Sequence, residues 1–245
     1  MTTADALYKE GRLTEAIASL QSHLRDNPAD RRARSFLFEL YCFAGEFERA
    51  RKQLDAITED AKESKYGAAF YFAALRAEEE RQDFYQNPPP PDPAAPPPPA
   101  APLTGRANGR PFTGIHDLDP RLGGSLEFLA AGKYHRMDFR HLVRIEFTAP
   151  TRVRDLYWLP ANAQTTEALG AMDLESILVP VLYPLSYAFD DDLTRLGRST
   201  DWTELDGAEI PCGQRILVIG GEEIPLISLR TLEFDQPGDG EAGHE

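Results

Sequence analysis

The sequence predicts an α+β protein in which an N-terminal tetratricopeptide-like helical domain is followed by a compact, mostly antiparallel β domain. Three observations predict it: a helical repeat near the N-terminus, an abrupt Pro/Ala-rich segment, and alternating apolar and polar residues beyond that segment. They divide the 245 residues into a helical domain at 1–86, a linker at 87–110, a β domain at 111–235 and a loose tail at 236–245.

The helical prediction rests on a repeat. The stretch Gly11–Ala16 returns 34 residues later as Gly45–Ala50, and this is the period of tetratricopeptide repeats, whose unit is a pair of antiparallel helices. In each copy a glycine falls where the first helix must stop, and a small alanine falls where the second helix crosses the first. Two generic helical hairpins remain the alternative, because Phe38 stands where the repeat favours a small residue.

The spacing of apolar residues predicts five helices in this region. They are expected at roughly 3–10, 13–25, after the capping residue Asp30, from near Phe47, and at 61–82. Because no partner helix follows the fifth, we expect it to cap the helical stack. The wide apolar faces of the third and fifth helices are the expected partner-binding surface, which consists of Phe36, Leu37, Leu40, Tyr41, Tyr66 and Phe70.

The composition changes sharply after the fifth helix. From Asn87 to Pro102 the chain is almost entirely Pro and Ala, a composition that favours extended polyproline II geometry and a semi-rigid spacer. A ligand for a proline-reading module is the alternative.

Strand patterns fill the second half of the chain. The turn residues Ala131-Gly132 and Gly220-Gly221 predict two hairpins, at about 126–139 and 215–226. The segment Ser176–Tyr183 carries Pro180, which predicts a short or edge strand. Further strands are expected at 142–147, at 154–159 (ended by Pro160), and at 229–234.

Charge and cysteine content exclude several functional classes. The net charge is −14, of which −11 lies beyond residue 86, whereas nucleic-acid binders and peripheral membrane proteins usually present basic surfaces. Cys42 and Cys212 make neither a disulfide framework nor a metal site. The N-terminus lacks the pattern of a signal peptide, and no apolar run has the length of a membrane span. We therefore expect a cytoplasmic protein that binds neither nucleic acid nor membranes.

Several polar clusters are candidates for metal-binding or catalytic sites. His135, Asp138 and His141 do not share a strand face, so they predict neither a metal site nor an acid–base site. Asp190–Asp192 suits a helix start better than a cation site. The polar cluster Asp117-Leu-Asp119-Pro-Arg121, with an Asp–Arg pair and a Pro turn, is expected to lock the start of the β domain. The sequence thus predicts no catalytic residues, no cofactor and no metal.

Two further sets of residues have alternative interpretations. Trp158 and Trp202 are expected to pack inside the β domain rather than to grip a ligand, with Trp158 facing inward. Arg31, Arg32 and Arg34, at the start of the third helix, could instead clamp a peptide carboxylate.

Together these patterns resemble the ImpE/TagJ family, accessory proteins of bacterial type VI secretion systems. The repeat contributes Gly11–Ala16, and the more specific part of the resemblance lies in the second half. That part comprises Asp119–Gly123, Leu126–Glu127, Gly132–Tyr134, Arg144–Glu146, Ala149–Pro150, Arg154–Ala161, Asp201–Trp202 and Gly213–Arg215.

The resemblance implies a cytoplasmic, non-catalytic adaptor. It implies binding to the N-terminal helix of the small contractile-sheath subunit, and work alongside the AAA+ ATPase that recycles the sheath. The alternative class is a metal-dependent or small-molecule enzyme housed in the β domain. A deep β-domain pocket with clustered titratable residues would favour the enzyme, and an apolar groove on the helices would favour the adaptor.

Overall fold

The structure is a computed structural model that describes residues 3–59, 65–90, 101–205 and 207–236. The side chains of Glu59, Lys65 and Tyr66 also lie outside the described set, as do most of the Pro/Ala-rich spacer and of the predicted tail.

The N-terminal helices form the predicted antiparallel pairs. They are α1 (Thr3–Lys9), α2 (Leu13–Asp26), α3 (Arg31–Phe43), α4 (Phe47–Glu59) and α5 (Lys65–Gln86). Gly11 and Gly45 occupy the two turns with φ of +83° and +69°, the left-handed region that glycine tolerates best. Ala16 and Ala50 are fully buried at the helix crossings. Asp30 caps α3 as predicted, because its side chain accepts a hydrogen bond from the backbone N–H of Ala33 at 3.0 Å.

The fifth helix does not cap the stack, and that prediction is wrong. α5 continues to Gln86, beyond the predicted end at 82, and lies between α4 and the hairpin at 125–138. Its inner face carries Glu78, Arg81 and Tyr85, at the i, i+3 and i+7 spacing of one helix face, and all three are buried. A polar face at helical spacing is normally solvated, and here the β domain covers it.

The β domain is built from antiparallel strands. The strands are β1 (Thr104–Ala107), β2 (Arg110–Thr113), β3 (Ile115–Asp117), β4 (Ser125–Ala130), β5 (Lys133–Asp138), β6 (Leu142–Phe147), β7 (Trp158–Thr165), β8 (Asp173–Pro180), β9 (Thr200–Leu205), β10 (Ala208–Gly213), β11 (Ile216–Ile219), β12 (Glu222–Pro225) and β13 (Thr231–Phe234). The main sheet has the order β2-β1-β13-β6-β7-β8-β4-β5, β12-β11-β3 form a second sheet, and β9 pairs with β10. Strand β1 begins inside the range that the sequence assigns to the linker.

Both predicted hairpins are present, as β4–β5 and β11–β12, and β6 and β13 occupy their predicted positions. Two proline-based predictions are wrong. The strand expected at 154–159 is a short 3-10 turn, Val153–Leu156, followed by β7, which runs through Pro160. The carbonyl of Pro160 still accepts from the N–H of Thr148 at 2.8 Å, so the sheet loses only the missing donor. Strand β8 lies inside the sheet, because Pro180 stands at its last position.

The two tryptophans differ. Trp158 is 1% exposed, as predicted. Trp202 is 46% exposed, so the prediction that it packs inside the β domain is wrong. It lies on β9, which pairs only with β10 in a two-stranded sheet, and this leaves the side chain open to solvent.

A segment of the β domain also holds both repeat turns. A Cβ atom at Gly11 would lie 2.4 Å from Leu193, and one at Gly45 would lie 2.4 Å from Tyr187. The guanidinium of Arg198 donates to the carbonyls of Tyr8 and Lys9, at 2.6 and 2.8 Å, where α1 ends. These contacts join the two domains into one packed body.

The β domain also caps the N-terminus of α2. The carboxylate of Asp192 accepts from the backbone N–H of Thr14 at 3.0 Å. Asp192 begins the short helix α6 (Asp192–Arg195), and Asp191 caps that helix through the N–H of Thr194, as predicted for this acidic run. None of the described helices combines the length and apolarity that a membrane crossing requires.

Candidate functional site

Two regions of the structure concentrate charged groups away from bulk water. The first, called the buried network below, joins α5 to the β domain. Its members are Glu78, Arg81, Tyr85, Asp117, Glu127, Tyr134, Trp158 and Arg215. The second is an open groove between the helical domain and the loop at 151–153.

Arg81 connects the two domains within the buried network. Its Nη1 lies 3.0 Å from Oε1 of Glu78 on the same helix, and its Nη2 lies 3.0 Å from Oε2 of Glu127 on β4. Nη2 also donates to the carbonyl of Leu182 at 2.9 Å. Both terminal nitrogens of a 1% exposed guanidinium therefore have partners, as a buried charge requires.

Glu127 is the centre of the buried network. It accepts hydrogen bonds from the hydroxyls of Tyr134 and Tyr85, at 2.6 and 2.8 Å, as well as from Arg81 and Arg215. Complete burial would raise its pKa, but the two guanidiniums and these hydrogen bonds hold the pKa at about 2. The carboxylate is thus charged at every physiological pH.

The β domain completes the buried network from its own side. Nε of Arg215 lies 2.6 Å from Oδ2 of Asp117, and both side chains are fully buried. Trp158 donates from Nε1 to Oε2 of Glu78 at 2.9 Å. Next to the network, Nη2 of Arg121 lies 2.6 Å from Oδ2 of Asp119, which forms the predicted Asp–Arg lock.

The cavity found at the buried network is too small for a substrate. The cavity beside Glu78 and Arg81 has a volume of about 10 Å³, the space that a single water molecule needs. On the outer face of the sheet a depression of about 500 Å³ carries Arg144, Glu146 and Asp173, and its charged groups are open to solvent. The buried network can instead hold the two domains in a fixed orientation.

The histidines of β5 and the following turn do not form a cluster. The ring of His135 stacks on Phe128 with centroids 5.1 Å apart, and Asp138 caps the turn at 139–141 through the N–H of Arg140. Among the residues that the structure describes, no group of three or more His, Cys, Asp or Glu side chains could hold a metal ion.

The groove lies between α1, α2, α3 and the loop at 151–153, and has a volume of about 850 Å³. Its lining residues are Thr3, Ala4, Asp5, Tyr8, Lys9, Ser19, Leu20, His23, Asp30, Arg32, Ala33, Ser35, Phe36, Glu39, Thr151, Arg152 and Val153. Arg32, Phe36 and Glu39 share one face of α3 at the i, i+4 and i+7 positions. Phe36 packs edge-on against Tyr8 with ring centroids 5.7 Å apart, so aromatic side chains form the middle of the groove.

Glu39 differs from every carboxylate of the buried network. It is 8% exposed, yet within the described chain no donor lies within hydrogen-bonding distance of its oxygens, and Nη1 of Arg154 is 3.6 Å away. Burial and the neighbouring carboxylate of Asp155 raise its pKa to about 7, while Arg152 acts in the opposite direction. Glu39 is therefore an incompletely paired acid in the wall of the groove.

The five expected partner-binding residues whose side chains are described separate into three groups. Phe36 lines the groove, whereas Phe70 is 40% exposed on α5, outside it. Leu37, Leu40 and Tyr41 are no more than 4% exposed, because α3 is covered on several sides, so they support the surface rather than form it. The side chain of Tyr66 lies outside the described residues.

The sequence does not predict the other residues of the groove as a partner-binding surface. Glu39 has a signal in the sequence, because it is a charged residue inside the apolar run of α3, but nothing local marks the loop at 151–153.

Of the three arginines considered for a carboxylate clamp, Arg31 donates to the carbonyl of Ile57 at 3.1 Å and Arg34 to that of Pro28 at 2.7 Å. Only Arg32 lines the groove.

Known protein families and individual proteins resemble both halves of this chain. The family model described as ImpE protein matches residues 109–233, and a tetratricopeptide repeat model matches residues 7–71. The chain is 30% identical to the type VI secretion system accessory component TagJ of Pseudomonas aeruginosa, over 95% of this chain and 91% of that protein. A crystal structure of a Vibrio parahaemolyticus protein superposes with a TM-score of 0.83 at 23% identity, covering 96% of this chain and 98% of that one.

Several of the residues that carry the family resemblance lie together. Asp119, Glu127, Tyr134, Trp158 and Arg215 all lie in the buried network or directly beside it. These motifs therefore describe how the two domains are joined, whereas Arg144, Glu146 and Trp202 of the other motifs lie on the surface. With the ImpE match spanning more than half of the chain, and with a 30% identical relative along almost its full length, this protein belongs to the ImpE family.

Proposed function

We propose that this protein is a non-catalytic accessory adaptor of a bacterial type VI secretion system. It binds the N-terminal helix of the small contractile-sheath subunit in the cytoplasm, and it assists sheath assembly or disassembly by the AAA+ ATPase. The name of the Pseudomonas aeruginosa relative supports the secretion-system role. The buried network supports an adaptor over an enzyme, because the cavity beside Glu78 and Arg81 is too small for a substrate.

The groove is the observation that carries the proposal. Amphipathic helices bind in apolar grooves through side chains at i, i+3, i+4 and i+7. Tyr8, Phe36 and Val153 offer apolar contacts to such a face, and charged residues such as Lys9 and Arg32 stand at the rim.

The groove belongs to both domains. Its wall at 151–153 comes from the β domain, and the turn that follows packs against α3. Arg154 in that turn lies 3.6 Å from Glu39 and 4.6 Å from the ring centre of Tyr71 on α5. A fragment that ends at residue 86 therefore lacks one side of the groove, and binding must be measured with the full chain.

The test compares two of the expected partner-binding residues. Calorimetry of the full chain with a synthetic peptide of the sheath subunit's first helix measures affinity for wild type, Phe36→Arg and Phe70→Arg. We expect Phe36→Arg to weaken binding at least tenfold, about 1.4 kcal/mol, because an arginine would stand in the middle of the groove. Phe70→Arg is the matched control on α5 and leaves the affinity unchanged. The reverse result would place the partner on α5 instead.

A further inference from the structure

We infer that the groove selects a helix whose apolar face carries one basic side chain, Lys or Arg, and that this side chain pairs with Glu39. The inference rests on the proposed function and goes beyond it by naming the chemistry that the partner must present. It is carried by the position, burial and incomplete pairing of Glu39.

Glu39 stands where a bound helix would cover it. It follows Phe36 by one helical turn on the same face of α3, and both residues line the groove. The only exposure that remains to the Glu39 side chain, 11%, is therefore expected to be lost when a helix occupies the groove. A ligand must then replace the water that its carboxylate still contacts.

Within the described residues, the ion pair that the protein supplies to Glu39 is a long one. Arg154 is held over the ring of Tyr71 at 4.6 Å, which leaves its Nη1 3.6 Å from Oε1 of Glu39. A charge-assisted hydrogen bond between a guanidinium and a carboxylate has a length of about 2.7–2.9 Å. In addition, Nε of Arg154 is buried without a hydrogen-bond partner among the described residues.

Desolvation makes this incomplete pairing selective. Covering a carboxylate with apolar groups removes its water without compensation, whereas covering it with an ammonium or guanidinium gives it a charged donor. A helix with only apolar residues at this position binds less well than one with a basic residue there. Glu39 in this way discriminates among amphipathic helices that fit the groove equally well by shape.

The pairing also makes binding depend on pH. Glu39 faces Tyr8 on α1, Tyr71 on α5, and Arg152, Arg154 and Asp155 on the 151–156 segment. Burial and Asp155 raise the Glu39 pKa to about 7, so the free protein is partly protonated near neutral pH. A bound cation requires the carboxylate form, so affinity falls by about tenfold for each pH unit below the pKa.

The experiment is calorimetry of the full chain with the sheath-subunit helix peptide and with variants of it. In each variant one Lys or Arg is replaced by Met. Each peptide is measured against wild type, Glu39→Gln and the control Glu48→Gln, which changes an exposed glutamate on α4. We expect one replacement to lower the affinity for wild type and for Glu48→Gln at least tenfold at pH 8, and the affinity for Glu39→Gln less than twofold.

Measurements at pH 6 and pH 8 provide the second readout. We expect binding of the unchanged peptide to wild type to weaken about tenfold at pH 6, and binding to Glu39→Gln to change little. Peptide binding in which no basic residue is coupled to Glu39 would overturn the inference and leave the adaptor function standing. If the unchanged peptide does not bind at any pH, the proposed function is overturned and the inference with it.

Discussion

Two buried glutamates show how differently one side-chain type is used in this molecule. Glu127, in the buried network, accepts from four residues and has a pKa of about 2. Glu39, in the groove, has Arg154 at 3.6 Å and a pKa of about 7. The completed site fixes the architecture, because all of its partners are within the chain. The incomplete site is suited to recognition, because its partner must come from outside.

The two regions also differ in how visible they are in the sequence. Several of the motifs that carry the family resemblance lie at the buried network, where the geometry of charged pairs demands particular residue types. The groove is made from a helix face and a loop, with common residue types such as Phe36 and Val153.

Breaking the buried network is expected to have the largest effect on stability. Arg81→Met removes a buried guanidinium and leaves Glu78 and Glu127 charged without it. Removing one partner of a buried ion pair costs about 3–5 kcal/mol. Urea denaturation of full-length protein measures it, with Arg76→Met as the control because Arg76 is exposed on the same helix. Equal stabilities of the two variants would show that the network does not hold the domains together.

The next prediction compares the stability contributions of a buried and an exposed tryptophan. Trp158→Ala removes a 1% exposed ring and its hydrogen bond to Glu78, and we expect a loss of about 3–5 kcal/mol. Trp202→Ala changes a residue that is 46% exposed and should stay within about 0.5 kcal/mol of wild type. Thermal melts followed by circular dichroism compare them, and a larger drop for Trp202→Ala would contradict the structure.

The pH dependence of stability distinguishes the two glutamates, because their shifts have opposite signs. The Glu127 pKa is lowered to about 2 in the folded state, so its stabilisation is present above the unfolded value near 4.5 and is lost between about pH 4.5 and 2. The Glu39 pKa is raised to about 7, so its contribution is present below about pH 4.5 and is lost as pH rises through 7.

The matching variants are Glu127→Gln and Glu39→Gln, measured by urea denaturation from pH 3 to pH 8. We expect Glu127→Gln to be destabilised most at neutral pH. Glu39→Gln should be more stable than wild type at pH 8, by on the order of 3 kcal/mol at most, and no more stable than wild type at pH 4. Parallel profiles for the two variants would show that the glutamates do not differ as described.

The smallest effect is expected from the Pro/Ala-rich spacer. If the buried network rather than the spacer fixes the two domains, duplicating residues 88–99 should lower stability by only about 0.6 kcal/mol, the entropy cost of doubling a loop. Urea denaturation should still show a single transition, because the domains share one buried interface. Two separate transitions in the lengthened protein would show that the spacer length holds the domains together.

The sequence alone determined the local structure and the family. The glycine turns at Gly11 and Gly45, the Asp30 cap and the β4–β5 and β11–β12 hairpins were all predicted, because turn residues and apolar periodicity act over a few neighbours. The inward position of Trp158 was predicted as well. Strands through Pro160 and up to Pro180 were not, since tolerance of a missing donor depends on its position in the sheet.

Only the tertiary structure decided what covers each surface. Arg81 and Glu127 are 46 residues apart in sequence, and nothing local shows that the polar face of α5 is buried by the β domain. The same limit explains why Leu37 and Leu40 were expected at the partner surface, and why the wall at 151–153 was missed. Periodicity identifies which side of a helix is apolar, whereas the packing of distant segments decides whether that side is filled from within the chain or left open for a partner.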